Sequence, residues 1–179
     1  MAWSAPVVTV AQTAEPITLD DVKAWGRVDT SDDDTRITAA LAAARAYVEA
    51  FTGTYLAAQT VRVRCASFSE FCAVPLAPVT SVVVTYVDSA GDAQTLSSSV
   101  YELRADGLET SIALKYGQAW PGIQSGSRIT VTAVCGYTVV PPPVLQAIRA
   151  LTTAEIDGVR DALDTAFIDA LLANFRRFA

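Results

Sequence analysis

The hydrophobic period changes twice along this chain, and that change limits what it can fold into. From Ile37 onward the apolar residues Ile37, Leu41, Ala44, Val48 and Phe51 recur at helical spacing. Positions i, i+3 and i+4 share one face of an α-helix, so this run predicts an amphipathic helix. From Gln59 the period becomes two. Thr60-Val61-Arg62-Val63-Arg64-Cys65 alternates as a half-buried strand does. After Pro141-Pro142-Pro143 the helical spacing returns through Val144, Leu145, Ile148, Leu151 and Ile156, then through Val159, Leu163, Phe167, Leu171 and Phe175. The expected class is α+β, with a helical base from the N- and C-terminal helices and an inserted small antiparallel β domain. Residues 1–17 read as an extended arm, 18–56 and 141–179 as the base, and 57–140 as the insert.

Local signals mark the element ends. Thr18-Leu19-Asp20-Asp21 is a capping box opening a short helix that Gly26 should stop. Ser31-Asp32-Asp33-Asp34 repeats the device, with Ser31 as the expected cap and Asp34 reaching back. Gly53 is placed to end the second helix in a left-handed conformation. Pro143 suits the first position of the C-terminal helix. Gly158, close to Thr152-Thr153, leaves two readings open there: one helix or two. In the insert, β-branched runs such as Ser81–Val87, 100–104, 111–116 and 128–134 predict about six short strands, compatible with a sandwich or a partly open barrel. Val7-Val8-Thr9-Val10, between Pro6 and Pro16, reads either as a disordered tail or as an arm laid on a neighbouring subunit.

Composition excludes more than it identifies. The chain has no histidine, which removes the commonest general base, the commonest metal ligand and every His-containing triad. Its three cysteines, Cys65, Cys72 and Cys135, show no zinc spacing. Reduced, mostly buried thiols are the preferred reading, with a Cys65–Cys135 disulfide as the alternative. The formal charge of −6 shows no basic face of the kind that grips phosphates, apart from Arg176-Arg177. No apolar run is long enough to span a bilayer, and the first residues lack the pattern of a signal peptide. A cytoplasmic site of synthesis without membrane attachment is therefore expected.

Few residue groups offer chemistry. Asp32-Asp33-Asp34 lacks the alternation and distal Glu of a calcium loop, so it reads as the acidic first turn of a helix. Gly122-Ile123-Gln124-Ser125-Gly126 lacks the Lys of a phosphate loop and reads as a turn. Trp120 reads as a plug at one end of the β core. Neither catalytic residues nor cofactor or metal ligands are expected. Two features point to contacts instead. Ala39, Ala43, Ala46 and Ala50 leave a face of small side chains on the second helix, fit for close approach by a neighbouring subunit. Phe175, Arg176, Arg177 and Phe178 put two aromatics around two arginines, the residue types that dominate interface hot spots. This tail is read as a docking peptide in preference to a simple helix end.

The order of several motifs resembles the head–tail connector (adaptor) proteins of long-tailed phages, prophages and gene transfer agents. The resemblance rests on Pro16-Ile17-Thr18-Leu19-Asp20-Asp21-Val22-Lys23 with Val28-Asp29, and on 34–53, including Ala42-Ala43-Ala44-Arg45-Ala46-Tyr47-Val48-Glu49. It continues with Val74-Pro75-Leu76-Ala77-Pro78-Val79, Val84-Thr85-Tyr86-Val87-Asp88, Trp120-Pro121, Gly136-Tyr137 and Val140-Pro141-Pro142. Leu171-Leu172 with Arg176 resembles the family's tail, whereas 153–160 departs from its pattern. The resemblance implies a structural subunit of a ring, a dodecamer in the virion, below the portal protein. It implies a stopper or tail-completion protein on the other side, and duplex DNA passing through without sequence-specific binding. It places the protein in the virion neck, after assembly in the host cytoplasm. The competing reading is a soluble module that holds a ligand or peptide with the β insert. An enzyme ranks last.

Overall fold

The computed structural model describes residues 3–158 and 165–177. It is a mixed α+β structure with two compact units. Of the described residues, one unit joins 3–13 to 58–136, and the other joins 14–57 to 137–158 and 165–177. Among the described residues, the first contains all the strands and the second all the α-helices.

In the helical unit, α1 (Leu19–Gly26) starts as its capping box requires. The Asp21 backbone N–H donates to Thr18 Oγ1 at 3.1 Å, and the Thr18 hydroxyl donates to Asp21 Oδ2 at 2.7 Å. The left-handed residue that ends α1 is Arg27, one position after the glycine expected to stop it. Helix α2 (Asp34–Thr52) ends at Gly53 with φ +68°, as expected. Its start differs from the expectation. Asp33 occupies the cap position without a side-chain cap bond, and Ser31 contributes only its carbonyl, which accepts from the Asp34 N–H at 3.2 Å. Asp34 faces Lys23 instead, with Nζ 2.7 Å from Oδ1, so an ion pair to α1 replaces the second capping box.

Helix α3 (Pro142–Ile156) begins one residue before Pro143, with Pro141 as its cap. It stops before Gly158, whose φ of +69° no helix accommodates, and α4 (Thr165–Leu172) is separate. Of the two readings of this region, the two-helix one holds. Val159 and Leu163, placed in the predicted stripe, lie outside the described residues. Ile37, Leu41, Ala44 and Val48 of α2 form one core with Val144, Ala147, Ile148 and Leu151 of α3, joined by Ile17, Val22, Leu56, Ile168 and Leu172.

The β unit holds a five-stranded antiparallel sheet in the order β1-β2-β7-β3-β4 and a hairpin, β5-β6. The strands are β1 (Val7–Val10), β2 (Gln59–Cys65), β3 (Val79–Val87), β4 (Ala93–Thr95), β5 (Tyr101–Asp106), β6 (Glu109–Leu114) and β7 (Ile129–Cys135). The first of them revises the reading of the arm. Val7 and Val8 pair with Arg62 and Val61, and Trp3 bridges to Cys65, so the segment is an edge strand of the chain's own sheet. Period-two patterning is strict in the centre. Val61, Val63, Cys65, Val131, Ala133 and Cys135 are all buried while their alternates are not.

The cysteines are all free. Cys65 pairs with Ile129 and Cys135 with Gln59, at opposite ends of the β2–β7 ladder. Six residues of strand, about 20 Å, separate them, so the disulfide alternative falls. Burial pushes the Cys65 thiol up to about 11 and the Cys135 thiol up to about 12. In the unfolded chain both should ionise near the ordinary value of 9.0. Above that pH the unfolded state binds fewer protons than the folded one, so stability should fall as pH rises from 9 toward 12. At neutral pH only the exposed Cys72 should react quickly with a thiol reagent, and the other two only after unfolding. Equal rates at all three would contradict this arrangement.

Candidate assembly surfaces

The α2 face begins with the helix's periodicity. Ile37, Ala40, Leu41, Ala44, Val48 and Thr52 point into the helical core. On the opposite side of the helix, Ala39, Ala43, Ala46 and Ala50 are all exposed. Tyr47 borders them and stacks on Phe51 with ring centroids 6.2 Å apart. The flank is held rigid by charge. Arg45, only 12% exposed, contacts Glu15 Oε2 at 2.7 Å and Glu49 Oε2 at 2.6 Å. Glu49 Oε1 accepts the Leu56 backbone N–H at 2.9 Å, tying down the chain that leaves the helix. The result is a smooth, rigid strip on which another backbone could approach closely, because methyl groups are the tallest features along it.

The predicted tail is divided by the structure. Phe175, in a short 3-10 turn after α4, packs against the helical core. The Arg177 backbone N–H donates to the Thr52 carbonyl at 2.7 Å, satisfying a carbonyl at the end of α2. Gly53 lies against it, and a β-carbon there would sit 3.6 Å from Arg177 Cβ. The Arg176 guanidinium lies 5.2 Å over the Phe51 ring and remains exposed. Phe178 lies outside the described residues. Of the described tail, Arg176 is thus presented outward, while Phe175 and Arg177 anchor the end of the chain to α2.

Sequence patterning missed two features of the β unit. The first is an aromatic cluster built on a 3-10 turn at Phe68–Cys72. Phe68 stacks on Trp120 at 4.8 Å and 5°, Phe71 meets Trp120 edge-on at 5.4 Å, and Trp3 stacks on Phe71 at 6.0 Å. Trp120 is thereby anchored, half-buried, against Phe68 and Phe71. Beside it opens a cleft of about 370 Å³ between Phe68, Cys72, Arg104, Ile112 and Trp120. The only cation in that lining, Arg104, is already matched by Glu102, with Nε 2.7 Å from Oε1. The second feature is a group of arginines on the outward face of the sheet, which strand register assembles and linear charge counting does not reveal. Among the described residues no three potential metal ligands cluster, and no helix is long and apolar enough to cross a membrane.

Comparison with known proteins finds the same fold in solved structures. The fold aligns with a chain from the neck of an empty gene transfer agent (GTA) particle computed with C6 symmetry. The TM-score is 0.81 at 20% identity, covering 98% of this chain and 97% of the other. A chain of the native GTA virion matches equally well, with TM-score 0.81, 20% identity and the same coverage. A chain from the native GTA neck computed with C12 symmetry gives 0.69 at 23% identity, covering 96% of each chain. No curated protein sequence matches. These three chains share the fold of this one over nearly its whole length. A model of the phage gp6-like head-tail connector protein family matches residues 16–90.

Proposed function

We propose that this protein works as one subunit of a ring in the neck of a phage-like particle, where it joins head to tail and carries out no reaction. The observation that carries this reading is the match over nearly the whole chain to components of a GTA neck with C6 or C12 symmetry. On this reading, the helical unit is the base of the subunit and the β unit is an insert in its sequence. A dodecamer below the portal protein, with a stopper or tail-completion protein beneath, surrounds duplex DNA that slides through. The overall charge of −6 favours sliding, because like charge keeps the duplex from sticking. The Ala39, Ala43, Ala46 and Ala50 strip contacts the neighbouring subunit. The exposed Arg176, with Phe178, docks on the portal, while Phe175 and Arg177 hold the tail in place.

Electron microscopy of the protein alone and with its portal tests the ring, which should show a central hole wide enough for duplex DNA. Particles made without this protein should accumulate as separate heads and tails, and normal joining in its absence would sink the proposal. The tail is tested by single substitutions. Arg176→Ala and Phe178→Ala should leave the melting temperature unchanged and abolish portal attachment. Phe175→Ala removes a partly buried core aromatic and should lower stability by about 1–3 kcal/mol, so a combined four-alanine variant would mix the two effects. Full attachment by the Arg176→Ala, Phe178→Ala double variant would remove the tail from the docking surface.

A further inference from the structure

The five-stranded sheet separates charge in a way the linear sequence hides. Its strands, β1, β2, β7, β3 and β4, contain no Asp or Glu. In the central strands the inward Val61, Val63, Cys65, Val84, Val131, Ala133 and Cys135 are apolar and buried. The outward positions follow from the register. Val7, Arg62, Thr132 and Val83 form one row across four strands. Arg64, Thr130, Thr85 and Thr95 form the next. Arg128 precedes β7 with the same parity as Thr130 and Thr132, and it is exposed, as is Arg64. None of the three arginines has an ion pair among the described residues. With these arginines set aside, ten basic residues face nineteen acidic ones, a formal −9 over the remainder of the chain.

The same face carries exposed apolar area. Val7 is 49%, Val83 51%, Val10 57% and Val134 38% exposed. A face meant only for phosphates would not need these valines. Apolar patches interleaved with Arg are characteristic of the centres of protein interfaces, where Arg is enriched. The complementary acidic surface is present on the chain itself. Asp20, Asp29 and Asp32 at the start of the helical unit are exposed and have no ion pair among the described residues. A closed ring needs a heterologous contact, in which two different patches of the same chain meet.

We infer that the outward sheet face, with Arg62, Arg64 and Arg128 at its basic end, docks on the acidic surface around Asp29 and Asp32 of a second copy. This inference rests on the connector reading and adds the second half of the contact between subunits. Arg is suited to the role because its planar fork can hold a carboxylate through two bonds and is weakly hydrated.

Sedimentation velocity of the full-length protein tests it. At low salt the protein should self-associate. In about 1 M salt, where the Debye length is about 3 Å, association should weaken tenfold or more. The variant Arg62→Thr, Arg64→Thr, Arg128→Thr keeps residues that suit strands, so it should melt as the parent does but sediment as a monomer. Copies carrying Arg62→Glu and Arg64→Glu should not associate alone. Neither should copies carrying Asp29→Arg and Asp32→Arg, but a mixture of the two should assemble. A monomeric parent at low salt, unchanged association of the threonine variant, or failure of the mixture would each overturn the inference. Duplex DNA binding that the threonine variant loses, without self-association of the parent, would assign the face to nucleic acid instead. Head–tail joining is a separate readout. Joining that survives the threonine variant removes this contact and leaves the connector function standing.

Discussion

Ile148→Ala should destabilise the helical unit by about 2–5 kcal/mol, measured by denaturant unfolding. Ile148 is fully buried at the centre of α3, and its neighbours in the core come from α1, α2 and α4. The substitution removes three heavy atoms from a site that rigid helices on several sides cannot easily collapse into. The transfer cost and the cavity cost therefore add. A loss of that size is a large fraction of the 5–15 kcal/mol typical of a folded domain. It should appear first in probes of the helices, such as Trp25 fluorescence, because Trp25 lies under the Arg149 guanidinium at 5.7 Å on the next face of α3. A change below about 0.5 kcal/mol would mean that the α2–α3 seam does not carry the stability assigned to it.

Ala43→Glu should give the opposite pattern, with an unchanged fold and lost assembly. Position 43 is exposed in the middle of the alanine strip, and Glu is nearly as good a helix former as Ala. In the free subunit the new carboxylate stays in water, so the melting temperature should shift little. In a ring whose subunits meet on this strip, the carboxylate would be buried without a partner. That costs on the order of 3 kcal/mol or more, which is above a hundredfold in association per contact. Because every contact in a closed ring repeats the defect, rings should be absent by electron microscopy and head–tail joining should fail. Rings that form normally with Glu at position 43 would move the contact away from α2. Ala44→Glu is the contrasting control. It lies one position away, fully buried, and should unfold the subunit rather than separate it from its neighbours.

The two variants differ because burial along α2 follows a 3.6-residue period, and this much was legible in the sequence. Ile37, Leu41, Ala44 and Val48 form a stripe that any helix would turn inward, which leaves Ala39, Ala43, Ala46 and Ala50 on the other side. The Thr18 cap, the Gly53 stop and the alternation of β2 and β7 were legible for the same reason. Each depends on residues within one turn or one strand. The second capping box was not realised because Asp34 found a stronger partner in Lys23, eleven residues away in sequence and on another helix. The anchoring of the tail was not legible, because local patterning cannot show that Arg177 would donate to Thr52.

The sequence by itself determined where the chain changes from helix to strand and back, which residues enter the two cores, and the absence of histidine chemistry. Only the tertiary structure decided how separated segments become surfaces. Strand register places Arg62 and Arg64 on one face of a sheet whose strands contain no acid, although the chain as a whole is acidic. The same register recruits Val7–Val10 as an edge strand and holds Cys65 apart from Cys135. The physical reason is range. Periodicity and capping arise from neighbours in sequence, whereas register, ion pairing between helices and sheet-face charge arise from partners tens of residues away, which only packing brings together.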